Sequence, residues 1–154
     1  MRLSIDRDSP DLSTLAHTLS SALAPLRAEA GVRDEVLVAL LEAVANALRH
    51  GRRPGGGGRP VLVDLDVSGD QVTAAVTDDG PGFDPAAYPD PRTPERLHLP
   101  TGRGLLLMRH YMDSVDYTFP PTGGTVLTLH RSVLAAREEA REEGGGTPGT
   151  EEHP

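Results

Sequence analysis

Apolar residues recur along this chain in two rhythms, every second position and every third or fourth, and the alternation between them predicts the elements. Leu3 and Ile5 alternate with polar neighbours, as in a short strand that ends at the Asp8-Ser9-Pro10 turn. Leu12, Leu15, Leu19 and Leu23 then follow at helical spacing, with Ser9 or Asp11 as the cap and Pro25 as the stop. The strongest helical pattern runs from Asp34 to His50, where Leu37, Leu40, Leu41, Val44 and Leu48 form one stripe and Gly51 closes it. Arg52 to Pro60, with its run of consecutive glycines, cannot build a core and is expected to be an exposed connector.

Period-two alternation returns at Val61, Val63, Leu65 and Val67, and again at Val72, Ala74 and Val76, with Ser68-Gly69-Asp70 between them as a hairpin turn. Asp84 to Pro100 carries five prolines and no periodic apolar pattern, which predicts a long loop. A short helix over Leu105 to Met112 and two strands, Val115 to Phe119 and Thr125 to Arg131, complete the pattern. Together these elements predict an α+β fold, a two-layer α/β sandwich with a mixed or antiparallel sheet covered on one face by about three helices. Residues 1–134 form the expected domain. Residues 135–154 form an acidic, glycine-rich tail, expected to be disordered after 144.

Composition narrows the function classes. The net charge is −8, and six Glu against two Arg from Ser132 to Pro154 place half of it in the tail. Such a balance disfavours a direct nucleic-acid or anionic-membrane surface, both of which rest on Lys and Arg neutralising phosphate. All 15 basic residues are Arg. The absence of Cys excludes disulfides and thiolate chemistry, and no apolar run approaches a membrane span, so a cytoplasmic setting is expected.

Three short segments carry candidate chemistry. Glu42 and Asn46 stand one helical turn apart, about 40° from each other around the axis, with the leucine stripe expected on the other side. A carboxylate and a carboxamide so placed can orient a hydroxyl and offer a neutral oxygen to Mg²⁺. Asp78 ends a strand and enters a turn with Gly80 and Gly82. A buried carboxylate there would accept from the exocyclic amine of adenine, whereas guanine presents an acceptor and would leave both groups unpaired. Gly102-Arg103-Gly104 leads into the helix at Leu105, where free N–H groups face an anion and Arg103 adds charge. Each segment alone has a plain alternative: a solvated helix face, an ordinary Asp/Gly turn, a common glycine doublet. His50 alone fits a helix-end cap.

In combination and in this order the segments resemble the GHKL (Bergerat-fold) ATPase superfamily across roughly residues 34 to 131. Glu42 to Gly51 resembles the N box, Asp78 to Gly82 and Gly102 to Leu105 the two glycine boxes, and Gly124-Thr125 the last motif. Asp78 to Pro85 and Gly102 to Asp113 are most similar to the bacterial anti-sigma-factor serine/threonine kinases of the general-stress and sporulation type. The resemblance implies a histidine-kinase-like ATPase fold with ATP and Mg²⁺ as ligands. Glu42 would be the catalytic base and Asn46 the Mg²⁺ ligand. Asp78 would read adenine, Gly102 and Gly104 would lie near the phosphates, Thr125 would support the adenine end, and Gly80, Gly82, Arg103 and Leu105 would complete the ATP-binding set. Residues 84–101 would be the lid; it is proline-rich and free of Lys, leaving Arg92, Arg96 and Arg103 as the nearby cations. The implied partners are an anti-sigma-factor antagonist and a sigma factor, the implied assembly a homodimer. A non-catalytic ATP-gated regulator and a detached histidine-kinase catalytic domain are the alternative readings.

Overall fold

The computed structural model describes residues 1–52, 58–82 and 103–133. The loop over 84–101, Gly102 and the tail from 135 therefore lie outside the described residues. The described elements run β1 (Arg2–Ile5), α1 (Leu12–Leu23), α2 (Ala30–His50), β2 (Val61–Ser68), β3 (Gln71–Asp78), α3 (Arg103–Tyr111), β4 (Ser114–Thr118) and β5 (Thr125–Ser132).

The strands form one five-stranded sheet in the order β1-β2-β3-β5-β4, antiparallel at every pairing. Alternation sorts the faces as expected. Val61, Val63 and Leu65 of β2, Val72, Ala74 and Val76 of β3, and Leu127 and Leu129 of β5 are buried. Their sequence neighbours, such as Asp66, Gln71 and Thr73, point to the exposed side. The β2–β3 hairpin turns at Gly69 and Asp70, with Gly69 in the left-handed region at φ 57°.

α2 lies across β2, β3 and β5, while α1 packs on α2, and α3 on α2 and β4. This is the expected two-layer α+β sandwich, with the sheet antiparallel throughout. Asp11 caps α1: its carboxylate accepts from the Thr14 N–H at 2.9 Å and from the Thr14 hydroxyl at 2.7 Å.

Two expectations for α2 change. It begins at Ala30 and not near Asp34, because Glu29 enters with an extended backbone and makes no side-chain cap, which removes the usual sequence signal. Its buried face is also displaced from the leucine stripe. Val36, Ala39, Leu40, Ala43, Val44 and Ala47 are buried, whereas Leu37, Leu41 and Leu48 are only partly covered. Small alanines permit α2 to sit close to the sheet, so the face next to Asn46 turns inward.

Candidate nucleotide site

A cavity of about 410 Å³ opens between α2, α3 and the sheet. α2 lines it with Ala43, Asn46, Ala47 and His50, which are spaced as one inward-facing stripe. Val76 and Asp78 come from β3, Thr125 and Leu127 from β5, Tyr117 from β4 and Leu105 from α3. An apolar floor with a few convergent polar groups is the usual form of a small-molecule site.

Asp78 stands at the end of β3, paired in register with Thr125 of β5. Its Oδ1 accepts from the Gly80 N–H at 2.8 Å. Burial pushes the carboxyl above the usual aspartate range; the Gly80 N–H, the charge of Arg7 and the Thr125 N–H act against that rise, and Asp79 adds to it. A half-buried carboxylate with an unfavourable ionised state is suited to accept a hydrogen bond from a ligand amine.

The glycines around Asp78 serve the packing of protein on protein. A methyl group on Gly80 would lie 2.6 Å from the Gly51 Cα, and one on Gly51 would lie 2.5 Å from the Asp78 Cβ. Gly124, at φ 94°, packs its backbone against the Asp78 carbonyl, and its N–H donates to the Gly80 carbonyl at 3.1 Å. Gly51 closes α2 as expected, but not through a left-handed conformation. Its φ is −83°, and close approach to Asp78 is what requires glycine there. Gly82 has φ 74° and lines the cavity.

Glu42 and Asn46 converge on the start of α3. A methyl group on Gly104 would fall 2.5 Å from the Glu42 Oε2 and 3.5 Å from the Asn46 Nδ2. The acid and amide of one helix thus meet the glycine of another. Asn46 and Leu105 line the cavity; Glu42 flanks it. Gly102 lies outside the described residues, and Arg103 is described only as the first residue of α3. Among the described residues no group of three or more His, Asp or Glu could hold a metal ion by itself. A carboxamide oxygen beside a carboxylate does fit Mg²⁺ that brings phosphate and water as its other ligands.

Several lining residues carried no functional signal of their own in the sequence: Ala43 and Ala47 look like ordinary helix formers, and Val76, Tyr117 and Leu127 like strand positions. Burial also pushes the Tyr117 hydroxyl upward, with the charge of Arg109 acting the other way. The spacing of Ala43, Asn46, Ala47 and His50 is the one signal that could have found the inward stripe of α2.

Residues 6–131 match the family described as the histidine kinase-like ATPase domain, and the chain belongs to that family. Among curated relatives it is 30% identical over 110 residues to the anti-sigma F factor of Pasteuria penetrans, a match covering 69% of this chain and 72% of that protein. Among solved structures it is similar to the histidine kinase AdeS of Acinetobacter baumannii, with a TM-score of 0.44 and 16% identity over 86% of this chain and 68% of that one. No helix among the described residues is long and apolar enough to cross a membrane.

Proposed function

We propose that this chain is an ATP-dependent serine/threonine protein kinase that phosphorylates an anti-sigma-factor antagonist and alternately sequesters a sigma factor. The observation that carries the chemistry is the convergence of Glu42 and Asn46 on Gly104 beside a cavity lined by Asp78. The similarity to an anti-sigma F factor supports the choice of partners.

In this reading adenine enters the cavity and donates its exocyclic amine to Asp78, with Thr125 alongside. Ala43 and Ala47 leave room for the ring, and Val76, Leu127 and Tyr117 give it an apolar surround. Asn46 would hold Mg²⁺, which neutralises phosphate charge when bound. The Glu42 carboxylate takes the proton of a substrate Ser or Thr hydroxyl. That oxygen forms a bond to the γ-phosphorus, the bond from the γ-phosphorus to the β,γ-bridging oxygen breaks, and ADP departs with its electron pair. General-base assistance of this kind contributes about 10²- to 10⁴-fold. Gly102, Arg103 and a lid over 84–101 complete the proposed phosphate side, and a homodimer in the cytoplasm is the proposed working form.

The test is incubation of the full chain with [γ-³²P]ATP and an antagonist protein encoded beside it. Label on a Ser or Thr of the antagonist, lost in Glu42→Gln, is expected. Tight ATP binding with no labelled protein would replace the kinase by a non-catalytic ATP-gated regulator, and label on a His would point to a detached histidine-kinase domain.

A further inference from the structure

Arg7, just beyond β1, is the most buried charge in the described structure that the site chemistry leaves unused. Its side chain is 2% exposed. In sequence it looks like a solvated residue between a strand and a turn, yet all three of its nitrogens face protein acceptors. Nε donates to the Arg59 carbonyl at 2.6 Å, and Nη1 donates to the Ala47 carbonyl at 2.8 Å. Nη2 lies 3.5 Å from the Asp79 Oδ1.

These contacts join the segments that frame Asp78. The Ala47 carbonyl also accepts the Gly51 N–H at 3.0 Å, so Arg7 grips the last turn of α2 where Gly51 abuts Asp78. On the other side, the Asp79 Oδ2 accepts the Arg59 N–H at 3.0 Å. Arg7 and Asp79 therefore hold the carbonyl and the N–H of the same residue, Arg59, and fasten the β3 end to the segment entering β2. A buried ion pair is weak evidence for stability, since well-packed apolar groups often serve as well. Its better-attested use is to fix one geometry among several.

We propose that Arg7 is a positioning residue for purine recognition: by tying Ala47, Arg59 and Asp79 to one guanidinium, it holds the Asp78 carboxylate where it meets the purine edge. This rests on the adenine-nucleotide reading of the cavity. A residue that only stabilises the fold would lower the melting temperature and leave the folded protein's choice between nucleotides intact. A positioning residue changes that choice and acts through Asp78.

Isothermal titration of the full chain with Mg-ATP and with Mg-GTP, at a temperature where circular dichroism shows each variant folded, separates the two. Arg7→Gln is expected to weaken Mg-ATP binding roughly tenfold, the size of coupling seen between residues of one network. Mg-GTP binding should be unchanged. Arg7→Lys, which keeps the charge and loses the fork, should show a smaller loss in the same direction. In an Asp78→Asn background the further change Arg7→Gln should have no effect on Mg-ATP binding. Equal losses for both nucleotides, additivity with Asp78→Asn, or unchanged Mg-ATP affinity would overturn the proposal. If Arg7→Gln fails to fold, Arg7→Lys decides by the same criteria. A wild-type chain that binds neither nucleotide would instead overturn the reading of the cavity itself.

Discussion

Gly51 closes α2 so tightly against the side chain of Asp78 that no Cβ fits between them. The end of one helix is thus shaped to a residue that lines the cavity. Gly51→Ala should force the two apart, because the obstructions are the Asp78 Cβ and Cγ and the Ala47 carbonyl, none of them the far end of a flexible side chain. A destabilisation of about 1–3 kcal/mol is expected from such overpacking. Urea denaturation checks it, and Mg-ATP affinity should fall with it.

Gly104→Ala should behave oppositely. The group in its way is the far end of Glu42, which can swing aside, and alanine favours a helix by about 0.5–1 kcal/mol over glycine. Stability should hold or rise slightly while phosphotransfer drops toward the level of Glu42→Gln. Paired melting and single-turnover measurements would show the split; parallel losses in both would count against Glu42 as the base.

Asp78→Asn separates folding from binding. Because burial raises the Asp78 carboxyl in the folded chain, the folded state holds that proton more tightly than the unfolded state. The resulting stability is fully present below the unfolded value and is lost as pH rises through the raised folded value. At neutral pH the ionised group is thus unfavourable for folding, and the free Asp78→Asn protein should melt no lower than wild type. Nucleotide binding runs the other way. Wild-type affinity for Mg-ATP should decline on acidification as the carboxylate gains its proton, whereas Asp78→Asn should be weak and flat across the same range.

Ala43 tests the shape of the cavity without touching its polar groups. It is buried, 1% exposed, on the inward stripe of α2. Ala43→Leu should cost about 1–3 kcal/mol by overpacking and should block the purine. Loss of Mg-ATP binding in a variant that still unfolds cooperatively is the expected result.

Much of this was legible in the sequence. The β2–β3 hairpin followed from strict alternation and a Ser-Gly-Asp turn, and of the two caps offered for α1, Ser9 and Asp11, the structure uses Asp11. Motif order put Glu42, Asn46 and Gly104 in one candidate site, and their side-by-side placement is a finding of the structure. What stayed hidden depends on long-range packing. Strand order places Tyr117 of the edge strand β4 beside Leu127 of β5 and so on the cavity wall, and no local pattern encodes that. Arg7 was hidden because burial of a lone arginine depends on Ala47, Arg59 and Asp79, each distant in sequence. The inward stripe of α2 was masked by leucines, whose larger side chains dominate the helical pattern although Leu37, Leu41 and Leu48 are less buried than Ala39, Ala43 and Ala47.

The most direct test of the account is thermal stabilisation of the full chain by Mg-ATP compared with Mg-GTP, repeated with Asp78→Asn. A ligand that binds only the folded state raises its melting temperature in proportion to affinity. The wild type should be stabilised markedly more by Mg-ATP, and the variant should lose that preference through roughly 1–3 kcal/mol of binding. Equal shifts with the two nucleotides in wild type, or an ATP preference that survives in Asp78→Asn, would contradict it.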